Sequence, residues 1–203
     1  MYKSLPSFIL AFHGCDESVK QKVLNSKERL NHSKNDYDWL GHGIYFWEND
    51  PERAIEYAEL LAKHPERTKG RITQPAVIGA VIDLGRCLNL VESHSLKIVK
   101  EAFVNLKQKM YEYHKELPNN QAVQGKTDLL LRELDCLVFE YIHENNSIHQ
   151  EFDSVRGVFW EGEELYPSAG FKEKNHIQIC VRNPNCIKGY FDPLDPVPEY
   201  SIP

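Results

Sequence analysis

The chain has 203 residues, 41% of them hydrophobic, and a formal net charge of -6. That is enough for one domain with a proper core, or one domain with an elaboration, and the acidic balance excludes a global basic footprint for nucleic acid. Five cysteines (15, 87, 136, 180 and 186) at no metal-ligand spacing, and no long apolar run near the N-terminus, lead us to expect a cytoplasmic protein with reduced thiols, no metal and no membrane span.

Residues 7–13 hold an unbroken apolar run, Phe8 to Phe12, ending at His13-Gly14. This is the pattern of a strand buried on both faces. Asp16 is placed to cap a helix over about 17–27, with Val19, Val23 and Leu24 on one side. Residues 31–39 are polar and turn-rich. Then comes Leu40-Gly41-His42-Gly43-Ile44-Tyr45-Phe46-Trp47-Glu48, around which the chain is organised. Its glycines permit a tight turn or a close approach. Its aromatic and β-branched residues predict a strand. Asn49-Asp50-Pro51 supplies a cap and a first-turn proline, and Ala54, Ile55, Ala58 and Leu61 predict a helix to about 62. Residues 63–74 read as a charged loop; its basic run, 63–71, suits either a phosphate backbone or, more commonly, solvent.

Residues 76–83 predict a third strand. The longest helical stripe is Leu96, Val99, Phe103, Leu106 and Met110, a helix over 95–116 stopped by Pro118-Asn119-Asn120. Helices over 127–134, capped by Thr127, and over 136–144 complete a helical block. Residues 155–159 and 177–181 read as strands, 167–175 as a loop, and 187–191 as a strand that continues or pairs with 177–181. The expected fold is a single α+β domain over 1–203. It has a split, mostly antiparallel sheet and a central helical insertion at about 90–150.

Three places could carry chemistry: His13-Gly14; Tyr45 with Tyr57 on the following helix; and the segment from Ser154 to Gln178. Each has a plain alternative: a turn histidine, a core tyrosine, a solvent-facing glutamine. Together they resemble a family. Phe12-His13-Gly14, Gly41-His42-Gly43-Ile44-Tyr45-Phe46 and Asp153-Ser154-Val155-Arg156-Gly157 resemble the ADP-ribosyltransferases of the branch shared by diphtheria toxin and the poly(ADP-ribose) polymerases. The likeness spans 8–62 and 150–191, and the block between resembles nothing known to us.

The resemblance implies NAD as substrate, bound in the cleft of a split sheet. His13 would bond the adenosine-side ribose and Gly14 the nicotinamide carboxamide, with a small residue needed because the ligand approaches the main chain. Tyr45 would stack on the nicotinamide with Tyr57 as the second ring, and Ser154 would bond Tyr45 or the carboxamide. Nicotinamide would leave through a cationic, oxocarbenium-like transition state, which a carboxylate normally stabilises.

The chain departs from the family here, because no glutamate starts the strand at 177–181. His176 and Gln178 project to one face there. Register favours His176, whereas Gln178 is preferred for its amide, which accepts a hydrogen bond as glutamate would. The acidic loop Trp160-Glu161-Gly162-Glu163-Glu164 is the candidate source of the missing carboxylate, against the plainer reading of a solvated turn. The expected activity is mono-ADP-ribosyl transfer to a macromolecule, protein or nucleic acid, in the manner of a bacterial toxin or defence effector. The alternatives are a catalytically weak NAD- or ADP-ribose-binding module and an NAD glycohydrolase. The helical block would serve as a substrate platform, a docking face for an inhibitor protein, or added core.

Overall fold

The computed structural model describes residues 8–68, 71–123, 128–144 and 151–200. Among them the chain is α+β, with a seven-stranded, mostly antiparallel sheet at its centre. Strand β1 (Phe8–Asp16) runs into helix α1 (Glu17–Leu24), and β2 (Ile44–Glu48) into α2 (Pro51–Lys63). The short α3 (Pro65–Thr68) precedes β3 (Pro75–Asp83) and β4 (Cys87–Asn89). Helix α4 (Ser93–Glu112), a hairpin of β5 (Asn120–Ala122) and β6 (Leu129–Arg132), and α5 (Glu133–Glu144) follow. Strands β7 (Ser154–Phe159), β8 (His176–Val181) and β9 (Ile187–Phe191) close the fold.

The large sheet has the order β4-β7-β8-β2-β1-β3-β9. Every pairing is antiparallel except β4 with β7. The expected split is reduced to a weak seam. β1 pairs with β3 through nine residues but meets β2 only at Ala11–Glu48 and Phe12–Trp47.

Alternation sorts the side chains onto two faces. On one, Ala11, Ile44, Phe46, Ile78, Ile82, Ile179 and Val181 pack under α1. Phe46 is 0% and Ile44 2% exposed, and each such side chain contributes roughly 1.5–3 kcal/mol on burial. On the other face, Phe12, Trp47 and Ala54 form a small cluster beneath α2. Leu40, Val155, Phe159 and Cys180 pack there against α4 and α5. Over β2 and β8, therefore, α2 stands on one side and the inserted block on the other.

Two of the three predicted caps form. Asp16 accepts from Ser18 N at 3.0 Å, and also from the Thr73 and Gln74 amides at 2.8 and 2.9 Å, tying α1 to the start of β3. Those bonds hold its carboxyl well below the usual range, the Gln74 amide first. Asp50 accepts from Arg53 N at 2.9 Å, with Pro51 opening α2.

Several expectations are corrected. β1 does not stop at His13-Gly14 but continues to Asp16, because β3 pairs with it throughout. Residues 65–68 are helical rather than loop. The region 90–150 is not all helix: residues 129–132 form β6 and α5 starts at Glu133, while the expected cap, Thr127, lies outside the described residues. The strand β9 does not join β8; it pairs with β3 at the far edge.

Candidate functional site

The glycine loop before β2 is built by contacts only glycine permits. Gly41 has φ +79, and a methyl group on Gly43 would meet Cys180 Sγ at 2.4 Å. The loop is stapled from three directions. The Tyr45 hydroxyl donates to Gly41 O at 2.6 Å and accepts from Leu40 N at 2.9 Å. Glu140 on α5 accepts from His42 N at 2.7 Å and pairs with Arg182. Tyr45 is thus fixed beside the loop with its hydroxyl committed. Desolvation, chiefly, pushes its pKa well up, keeping the phenol neutral.

His13 stands where β1 and β2 separate. Its Nδ1–H donates to Tyr45 O at 2.7 Å, beyond the last ladder pair, and its ring lies edge-on to Phe46 at 5.8 Å. Burial lowers its pKa against the opposing effect of that bond, so the neutral ring offers Nε2 as an acceptor. His13 and Tyr45 are therefore linked through the backbone, but their rings accompany opposite faces of the sheet.

Gly14 faces α2. An added methyl group would meet Ala54 O at 2.1 Å, so helix packing, and not ligand approach, accounts for the missing side chain. Tyr57, one turn on from Ala54, rests on Trp47 with ring centroids 5.1 Å apart. Trp47 sits two residues from Tyr45 on the same face, so it lies next to both tyrosines. Tyr57 keeps 41% of its surface open. Its phenol is nevertheless raised in pKa, first by desolvation and then by its neighbours Tyr37, Asp38 and Glu161. The indole nitrogen of Trp47 is buried with no acceptor among the described residues. An unmet donor of this kind costs about 1–3 kcal/mol.

Ser154 is not part of this group. It is 0% exposed, and its hydroxyl donates to Leu84 O at 2.7 Å. Register explains the displacement: Ser154 pairs with Val181, which pairs with Ile44, placing all three on the α1 face, opposite Tyr45.

His176 and Gln178 do share the face of Tyr45 and Trp47, since Gln178 pairs with Trp47 and Cys180 with Tyr45. The two play different parts. The His176 side chain is fully buried, stacked near Trp39 at 6.4 Å and against Phe159 at 5.8 Å. Its Nδ1–H donates to Lys174 O at 2.7 Å, and burial lowers its pKa. The neutral ring then has Nε2 as acceptor, and Gln178 Nε2 donates to it at 3.1 Å. This bond fixes the amide's orientation and leaves Gln178 Oε1 to accept elsewhere. Gln178 itself is half-buried.

The acidic loop reaches the same place. Glu161 Oε2 lies 3.3 Å from Arg53 Nη2 on α2 and 3.9 Å from His176 Nδ1. Glu163 and Glu164 are exposed. Trp39, whose indole donates to Leu130 O at 2.9 Å under the Arg132 guanidinium at 4.2 Å, closes the side facing the block.

Two open cavities lie elsewhere. One, of about 540 Å³, lines the 162–172 hairpin; the other, of about 490 Å³, lies between residues 29–32 and β9. The described residues contain no group of three or more His, Cys, Asp or Glu arranged to hold a metal, and no helix long and apolar enough to cross a membrane. All five cysteines are free.

No family model and no solved structure matches the chain. It is similar to an uncharacterized protein of Methanocaldococcus jannaschii, at 26% identity over 200 residues covering 87% of this chain and 83% of that one.

Proposed function

We propose that the chain is an NAD-dependent mono-ADP-ribosyltransferase acting on a macromolecular acceptor. The observation that carries this reading is the alignment of Tyr45, Trp47 and Gln178 on one sheet face between α2 and the inserted block, with Tyr57 alongside. Aromatic rings beside a fixed amide acceptor suit a flat pyridinium joined to a ribose.

In this reading the dinucleotide lies on the face of Tyr45, and His13, whose ring packs on Phe46 on the opposite face, is not among its contacts. The tyrosine rings bracket nicotinamide, and Trp47 Nε1–H finds its acceptor on the dinucleotide. Gln178 Oε1, turned outward by His176, accepts from a hydroxyl of the reacting ribose. The bond between ribose C1′ and the pyridine nitrogen breaks, both electrons going to nitrogen, and neutral nicotinamide leaves. The acceptor's oxygen or nitrogen lone pair closes on C1′ and loses a proton to solvent. A bond that strengthens as the ribose becomes cationic lowers the barrier.

The missing strand glutamate favours a second reading, a module that binds NAD or ADP-ribose with little turnover. Incubating the full chain with radiolabelled NAD and cell lysate separates the two. Free nicotinamide with label on protein or nucleic acid supports transfer. Free nicotinamide with free ADP-ribose makes it a glycohydrolase, and binding without release makes it a module. A chain that neither binds nor cleaves NAD removes the proposal.

A further inference from the structure

The carboxylates around this face differ in how far they are committed. Glu48, which projects to the opposite face with Phe46, gives both oxygens to Arg156, at 2.6 and 2.8 Å. Asp50 caps α2. Asp38 is held by Ser33 and Asn35 at 2.8 and 3.0 Å. Glu161 is different: both its contacts are long, at 3.3 and 3.9 Å, and both are made by Oε2. It sits two residues past Phe159, the partner of His176, where β7 leaves the sheet. Its backbone is pinned there, since Lys174 N donates to Glu161 O at 3.0 Å. Its side chain is 19% exposed. On the same face the indole nitrogen of Trp47, the register partner of Gln178, is buried with no acceptor among the described residues.

We infer that Glu161, supplied by the turn after β7 rather than by β8, is the carboxylate that faces the ribose cation during nicotinamide departure. The inference rests on the transferase reading above. Gln178 then serves as the neutral hydroxyl acceptor and Glu161 as the charge, two tasks divided between adjacent elements. Glu161 neither gains nor loses a proton in the step. Its charge opposes the positive charge left on C1′ when the nitrogen takes the bonding pair. Arg53 orients Glu161 through a single long contact.

The test measures nicotinamide release by the full chain, with NAD affinity by calorimetry alongside. Glu161→Gln should lower kcat about 100-fold with NAD affinity within threefold of the parent, whereas Glu163→Gln and Glu164→Gln stay within twofold. Equal kcat in Glu161→Gln and the parent overturns the inference and leaves the transferase reading standing. A parent chain that neither binds nor cleaves NAD overturns both. A measurement on the unaltered protein guards against a misfolded variant. A cationic pyrrolidine analogue of ADP-ribose should bind at least tenfold more tightly than ADP-ribose itself; equal affinities again overturn the inference.

Discussion

Gly14 and the Ala54 carbonyl face each other across a gap too small for a methyl group, which would come within 2.1 Å of the oxygen. Neither backbone can yield readily, since β1 is paired along its length and α2 is capped at its start. Gly14→Ala should therefore cost about 1–3 kcal/mol of stability through overpacking. Urea unfolding reads this directly. An unchanged midpoint with weakened NAD binding would instead assign the glycine to ligand approach.

Ser154→Ala removes a donor from a buried carbonyl on the face opposite Tyr45. It should destabilise the chain by about 1 kcal/mol while leaving NAD affinity and nicotinamide release at parental levels. A loss of turnover without a loss of stability would contradict the register described above.

His176 acts on Gln178 only while neutral. Protonated, its Nε2 becomes a donor and turns the amide oxygen inward. Because burial lowers its pKa below 6.5, nicotinamide release should be flat from pH 8 to about 6.5 and decline further down. His176→Ala should lower kcat about tenfold, equivalent to about 1.4 kcal/mol, at constant KM, and should erase that acid limb. A variant that keeps the limb rules out the orienting role.

Stability should show its own acid dependence. Burial lowers the pKa of His13, His143 and His176 in the folded chain. The unfolded chain thus binds more protons as pH falls through 6.5. The contribution of these neutral rings is complete above that value and is lost progressively towards the lowered pKa values. Asp16, held low by amide donors, adds a second loss below its ordinary 3.8. The urea midpoint should fall between pH 7 and 5, and a constant midpoint would show that the rings are not desolvated.

The organising strand and its helix were legible because their signals are local. Gly41 and Gly43, the run from Ile44 to Trp47, and Asp50-Pro51 each act within a few residues. The hairpin in the insertion was not, since Leu129-Leu130-Leu131 suits a strand and a buried helix equally. The misplacement of Ser154 has another cause. Which face a strand residue occupies depends on its register with a distant neighbour, and a one-residue slip reverses the answer. The approach of Glu161 to His176 has the same origin. It follows from the pairing of Phe159 with His176, which the two apolar strands and the turn between them signal only once they are read as a hairpin.

Glu140 makes the inserted block inseparable from the rest. One carboxylate on α5 receives the His42 amide and Arg182 on the way out of β8, while Leu40, Val155 and Cys180 bury themselves against α4 and α5. Excising residues 90–150 would not leave a smaller stable domain. It would strip the glycine loop of its anchor and uncover the underside of three strands. For the same reason, a displacement of this block is carried to Tyr45, whose hydroxyl is bonded to the loop that Glu140 holds.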